Sequence, residues 1–466
     1  MAKSIHAFSF NFALISTLLV LATLKTASAD TWANAFPNIP SCLNSYTVPK
    51  ITSAGVVATR PEGELYCLVG DQLALGSKIK LFEDLQSLVE PSHRLKHLHI
   101  SAHYLLEADT PKFLCRLASE DTTITVYGQN SFVSPLHLSP DWSDQLLQCF
   151  SSVNLKLIGC DPFSDEGLKI DAPCTRRNQN DGGSAELPNA HHVKLIILEY
   201  IDDENEEKSS VSAFGSGNFV QSSLTTNVED WLLIKDIIPA SQDFWWTCII
   251  EYLSGLALLS MDEVGANYRS CQDSWGETIS VNEGTGGFSY LLMPEDSDRY
   301  FEIWSEMVSS AEKVVIVAQF FESKRIKKII EDNPDTQVTI LVDDAYFVSA
   351  ETETSANFIK PERAKEMLEF VAANSHVSVR YLQTNHDYEL NEMTNTIHAR
   401  SALFESGSEF SSMVGSAHFR DGAIFKNSEQ QFFLSGSAAE SHREFFSDLL
   451  GRSVSFDKIG IESFQE

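Results

Sequence analysis

The sequence predicts an α/β chain made of two similar halves. Three observations carry this. Residues 296–382 alternate short buried-strand patterns with amphipathic-helix patterns. Residues 95–158 show the same order. Each half then carries a matching set of polar residues at equal spacing. A repeat of about 200 residues fits duplication of one domain and not a solenoid, whose periods are ~20–50.

The elements follow in order. Leu95–Ser101 reads as a strand, Thr110–Ala118 as a helix and Thr122–Tyr127 as a strand. Ser139-Pro140 opens a helix reaching about Cys149, with proline in the first turn, where its missing N–H costs nothing. Val153–Ile158 is the third strand. The segment 171–190 reads as a Gly/Asn/Asp/Pro-rich loop carrying Arg176 and Arg177, and DDENEEK (202–208) as a solvated turn. Asn282–Gly287 reads as a linker. Beyond it, Tyr300, Ile303, Trp304, Met307 and Val308 mark one helix face, begun near Asp296 or Ser297. Val314–Ala318, Val338–Val342 and Val377–Leu382 read as buried strands. Helices at Lys324–Glu331 and from Pro361 to about Ala373 separate them. This alternation implies βαβ units and a mostly parallel sheet. The expected organisation is a leader over 1–29, a first half over 30–283 and a second half over 284–466.

Residues 1–29 read as an export signal: Lys3, an apolar or small run from Phe8 to Leu24, then Ala27-Ser28-Ala29 as a cleavage site. Removal would leave 437 residues and change the formal charge from −31 to −33, since Lys3 and Lys25 leave with the segment. No later run can span a bilayer; Gln242, Asp243 and Glu251 break residues 237–259. The 65 acidic residues against 34 basic ones argue against a general nucleic-acid binder. All eight cysteines fall at or before Cys271, and none forms a CxxC pair. In an exported chain this reads as disulfides, at least two, in the first half.

The polar sets carry the chemistry. The first half has HVKLIILE (His192 to Glu199), GSGN (Gly215 to Asn218) and NVE (Asn227 to Glu229). The second has HARSALFE (His398 to Glu405), GSAH (Gly415 to His418) and NSE (Asn427 to Glu429). First Gly to last Glu is 14 positions in both, and His to Glu is 7 in both. In extended backbone His192 and Lys194 share a face, as do His398 and Arg400. Each pair sets an imidazole beside a fixed cation, which suits a phosphoryl group. Glu229 and Glu429 are the candidate carboxylates for orienting the imidazoles. The pattern leaves open which glutamate serves which histidine.

With these motifs the chain resembles the phospholipase D superfamily, marked by HxKxxxxD, GSxN and a later NxE. The likeness covers most of residues 90–450. It implies two α/β halves packed about a pseudo-two-fold axis, one shared site and a phosphohistidine intermediate. It implies no metal or other cofactor. Carried over, His192 is the nucleophile and His398 the general acid/base. Lys194, Arg400, Ser216, Asn218, Ser416 and His418 would contact phosphate, while Glu229 and Glu429 orient the histidines. The sequence departs from the pattern at Glu199 and Glu405, which replace aspartate, and at Arg400, which replaces lysine. His418 replaces asparagine, which makes the second motif degenerate.

Other notable residues have plainer readings. His97, His99 and His103 lie on or beside a strand with no acid or cysteine to complete a metal set. His191 points away from His192, Trp245 and Trp246 pack, and Phe320 and Phe321 follow a core strand. The expected function is a secreted or periplasmic, metal-independent phospholipid phosphodiesterase acting as a monomer. The alternatives are an exported nuclease, disfavoured by acidic charge, and a non-catalytic phosphate-binding protein.

Overall fold

The computed structural model describes Val56–Val57, Leu85 and most of residues 94–455. The description breaks at 107–108, 130–139, 160–173, 178–183, 188–189, 203–206, 221–222, 224–227, 240, 260, 276–278, 282–285, 344–360, 383–385, 388–391 and 394–396. The export signal and the centre of the expected linker lie outside the described residues.

The first half runs β1 (Val56–Val57), β2 (Arg94–Ala102), α1 (Asp109–Leu117), β3 (Thr123–Gln129), α2 (Pro140–Leu146) and β4 (Ser152–Ile158). It continues with β5 (Cys174–Arg177), β6 (Ser184–Leu187), β7 (Leu195–Asp202), β8 (Glu207–Gly215), β9 (Trp231–Pro239), α3 (Thr247–Leu256) and α4 (Met261–Trp275). The second half runs β10 (Ile279–Val281), β11 (Gly286–Met293), α5 (Ser297–Ser310), β12 (Lys313–Ala318), α6 (Lys324–Glu331), β13 (Gln337–Asp343) and α7 (Pro361–Ala373). It ends with β14 (Val377–Leu382), β15 (His386–Asp387), β16 (Glu392–Met393), β17 (Arg400–Ser406), β18 (Glu409–Gly415), α8 (Asp421–Lys426), β19 (Glu429–Gly436), α9 (Ser437–Arg452) and β20 (Val454–Ser455).

The duplication is visible in the strand order. One sheet reads β1-β9-β8-β7-β2-β3-β4. The other contains β11-β19-β18-β17-β12-β13-β14, the same order with every partner replaced by its equivalent. The expectation of mostly parallel sheets is corrected. Among the described strands of the two sheets only β2-β3-β4 and β12-β13-β14 run parallel, and the other strand pairs are antiparallel. The cause is local: only four residues lie between β7 and β8 and two between β17 and β18, too few for a helical crossover, so each pair forms a hairpin. A second correction falls in 171–190, where β5 and β6 pair as an antiparallel hairpin in place of a loop. Gly286 and Gly287, expected in the linker, belong to β11.

Local sequence explains the elements that frame the site. In β12, KVVIVA, five successive residues are buried, as expected for a strand covered on both faces. In α6, Ser323 caps the helix by accepting from the Ile326 N–H at 3.2 Å, and Ile326 and Ile330 are buried one turn apart. The disulfides Cys115–Cys149 and Cys248–Cys271 join α1 to the turn after α2, and α3 to α4.

The two halves share a core. Phe214 and Trp245 of the first half pack on Phe288, Tyr290 and Phe432 of the second. Ring centroids are 4.9 Å apart for Phe214–Phe432 and 5.0 Å for Trp245–Phe288. The indole N–H of Trp245 donates to Asp236 and that of Trp246 to Ser210, so both indoles are buried with their polar edge satisfied. Burying this aromatic surface fixes one half against the other and sets the distance between their motifs.

Candidate functional site

The site forms where the two sheets meet, and two backbone bridges build it. His191 pairs with Ser428, and Val228 pairs with Ile397. The His192 N–H donates to the Ser428 carbonyl at 2.8 Å, and the His398 N–H to the Val228 carbonyl at 2.9 Å. Ser428 and Val228 each precede a glutamate, so each bridge delivers a carboxylate to the other half's histidine. His192 Nδ1 lies 2.7 Å from Glu429, and His398 Nδ1 lies 2.8 Å from Glu229. The pairing is crossed. Nine of the ten residues expected at the site are buried around this junction, and the tenth, His418, is half-buried.

Hydrogen bonds fix both tautomers. His192 Nδ1 is also 3.2 Å from the Ser416 carbonyl oxygen, which can only accept, so Nδ1 carries the proton. The lone pair is then on Nε2, which no described residue bonds. His398 Nδ1 donates to Glu229, and its Nε2 accepts from Arg400 NH2 at 2.7 Å. Both imidazoles are therefore neutral with the proton on Nδ1.

The serines act on the glutamates. Ser216 Oγ donates to Glu229 at 2.6 Å and Ser416 Oγ to Glu429 at 2.7 Å, and both serines are fully buried. Their hydroxyls hold the carboxylates that hold the imidazoles. The preceding glycines permit this. A Cβ at Gly215 would meet the Asp230 carbonyl, and one at Gly415 the Gln430 carbonyl. Asn218 accepts from the Tyr104 N–H at 3.3 Å. Lys194 Nζ donates to the His192 carbonyl at 2.9 Å.

The electrostatics follow from burial. Burial, followed by Lys194 and Arg400, holds His192 well below the usual imidazole range. Burial and Arg400 pull His398 down to about 4 against the opposing pull of Glu229. Glu429 is pushed up to about 7 by burial, with Lys194 and Ser416 opposing. Glu229 goes the other way: His398, Ser216 and Arg400 outweigh its burial and lower it. Lys194 is held well below the usual amine range by burial and by Arg400. The two half-sites are therefore electrostatically unequal.

Residues outside the motifs also find places. Glu405 lies 3.3 Å from Lys313 Nζ, and Glu199 sits opposite His97 on β2. Seven residues of strand span ~23 Å, which puts both glutamates far from the cleft. His97 is bonded through both ring nitrogens to the Thr123 and Thr125 hydroxyls. His191 is bonded to Ser101 Oγ at 2.8 Å, away from the cleft. His103 is the residue that sequence reasoning missed: its ring lies 5.3 Å from that of His192. Its position just beyond the carboxyl end of β2, where α/β sites gather, was the available signal. Phe320 borders the site at 5.3 Å from His418, whereas Phe321 is core.

No protein-family profile matches the chain, and no curated protein matches its sequence. Solved structures do match. The phosphatidylserine synthase of Haemophilus influenzae aligns with TM-score 0.50 and 11% identity, over 83% of this chain and 87% of that one. A polyphosphate kinase from Porphyromonas gingivalis aligns with TM-score 0.46 and 10% identity, over 80% of this chain; the chain spans 46% of its length. Nuc from Salmonella typhimurium, described as a phospholipase D family member, aligns with 18% identity and TM-score 0.27, over 37% of this chain and 98% of Nuc. At these identities the likeness is one of fold: two phospholipase D-like α/β halves in a single chain.

Proposed function

We propose that the chain is an exported phosphodiesterase that hydrolyses phospholipid headgroup esters through a phosphohistidine on His192. The observation that supports this most is the crossed pairing, His192 with Glu429 and His398 with Glu229. Two imidazoles in fixed tautomers, each backed by a carboxylate from the opposite half, are what a two-step displacement at phosphorus requires.

The steps balance without any further group. His192 Nε2 attacks phosphorus, and the bond from phosphorus to the leaving oxygen breaks. His398 must first exchange its contact with Arg400 for a proton taken from solvent on Nε2, and it then gives that proton to the leaving alcohol. The carboxylate of Glu429 stabilises the cationic imidazole formed at His192. His398 then takes a proton from water, the hydroxide oxygen bonds to phosphorus, and the P–N bond breaks. Lys194 and Arg400 would neutralise the phosphoryl oxygens throughout. His192 suits the first role because its Nε2 is unbonded, whereas that of His398 already accepts from Arg400.

Two rival readings keep a specific basis. The same chemistry cleaves nucleic acid, and the local cations Lys194 and Arg400 contrast with a total charge of −31, which disfavours a polyanion. A non-catalytic phosphate-binding role draws on Arg400, whose contacts with His398 and His418 differ from anything in the first half. The deciding experiment offers phosphatidylcholine vesicles and single-stranded DNA to the purified chain in EDTA. Headgroup release that His192→Ala abolishes supports the proposal. Turnover lost on chelation, or undiminished in His192→Ala, contradicts it.

A further inference from the structure

We propose that His418 is an internal competitor for the phosphate oxygens at Arg400: it sits in the guanidinium fork that an oxyanion would take, and the ligand enters by displacing it. The inference rests on the cleft being a phosphate site, as proposed above. It adds a residue that governs which anions enter and how tightly.

The geometry is specific. Arg400 is 1% exposed, so its donors must be satisfied inside the protein. Nε lies 3.0 Å from His418 Nδ1, and NH2 lies 3.0 Å from His418 Nε2. NH2 also reaches His398 Nε2 at 2.7 Å, and NH1 donates to the Ser216 carbonyl at 2.9 Å. The Nε and NH2 edge is the one that pairs with two oxygens of a phosphate. Here that edge faces both nitrogens of one imidazole.

An imidazole fills this place imperfectly. Burial, then Arg400, His398, Lys194 and Arg420, hold His418 well below its ordinary range, so it is neutral. A neutral imidazole has one acceptor nitrogen and one N–H. Only one of the two contacts is therefore a hydrogen bond, and the other sets a donor against a donor. The ring is kept there by His192, stacked at 5.1 Å, and by Phe320 at 5.3 Å. The first half has no such arrangement. Asn218, the equivalent residue, bonds the Tyr104 N–H, and Lys194 bonds the His192 carbonyl.

A ligand with two free oxygens relieves the mismatch. It exchanges one hydrogen bond and one donor conflict for two charge-assisted hydrogen bonds. Drawing NH2 toward the ligand also releases His398 Nε2, the atom that must carry the leaving-group proton. Anion entry and release of the acid are thus one event. A phosphodiester monoanion meets the requirement, and inorganic phosphate is the simplest probe.

The test is calorimetric titration of inorganic phosphate into the wild-type chain, His418→Asn and His418→Ala, with thermal unfolding as the control for folding. Both variants should bind phosphate more tightly by about tenfold, the worth of one charge-assisted bond no longer broken on entry. KM for a chromogenic phosphodiester should fall in parallel. If His418→Ala does not fold, the near-isosteric His418→Asn carries the test. Unchanged or weaker phosphate binding by folded His418→Asn overturns the proposal and makes His418 a ligand of the anion. Failure of the hydrolase reading shows separately, as a wild-type chain that binds phosphate and turns nothing over.

Discussion

Glu429→Gln separates the electrostatic role of this carboxylate from its shape. Glu429 Oε2 accepts from both Ser416 Oγ and His192 Nδ1, at 2.7 Å each. A glutamine keeps both bonds if its amide oxygen takes that position, and the Ser416 carbonyl still pins the His192 tautomer. What disappears is the negative charge facing the cation formed on attack, together with the 3.3 Å bond that Glu429 Oε1 accepts from Asn427 Nδ2. Replacing a charge-assisted hydrogen bond by a neutral one costs ~1–1.5 kcal/mol, so kcat should fall ~5–10-fold. Stability should move the other way. Glu429 lies above its ordinary value of 4.5, at about 7, so the folded state favours the protonated carboxyl. That contribution is present below 4.5 and lost as pH rises through about 7, and the span is worth about 3 kcal/mol. At pH 8 the neutral glutamine should therefore be as stable as the wild type or up to about 3 kcal/mol more so. The wild-type rate should rise with pH through about 7 as the carboxylate forms, and this limb should vanish in the variant. The assay is the pH profile of kcat on a chromogenic diester, beside thermal unfolding at pH 8. Activity within about threefold of wild type, or an acid limb that survives unchanged, refutes the reasoning.

Two further outcomes follow. His398→Ala should lose ~10²–10⁴-fold on an alkyl ester, whose leaving alcohol needs a proton, and far less on a nitrophenyl ester; equal losses on both, by steady-state kinetics, would remove the acid role. Trp245→Ala should cost ~3–5 kcal/mol, because a buried indole packed on Phe288 and Phe432 joins the halves; denaturant unfolding that shifts by less than ~1 kcal/mol would contradict the shared core.

The duplication was legible because the polar sets repeat at fixed spacing and the strands are buried runs. The βαβ part of each half was also legible, since α6 and β12 announce themselves through Ile326, Ile330 and the run Val314–Ala318. The antiparallel part was not, because the buried runs along β7 and β8 say nothing about which neighbour a strand takes. The crossed glutamates lay beyond reach for the same reason. They depend on the bridges His191–Ser428 and Val228–Ile397, whose members are far apart in sequence and carry no pattern of their own. The serines were expected on phosphate. Their use on Glu229 and Glu429 follows from the turn that places residues 216 and 416 against the next strand, which spacing alone does not fix. His103 was weighed with His97 and His99 only as a metal ligand, and its place just past the end of β2, beside His192, depends on how the two halves fold together.

The most direct test of the account is to trap the covalent intermediate. Enzyme quenched in alkali during turnover of a phosphodiester, then digested and weighed by mass spectrometry, should carry the phosphoryl group on the peptide containing His192. The adduct should be absent in His192→Ala and should accumulate in His398→Ala with a nitrophenyl ester. A phosphoryl group found on His398, or turnover with no adduct on either histidine, would contradict a phosphohistidine formed at His192.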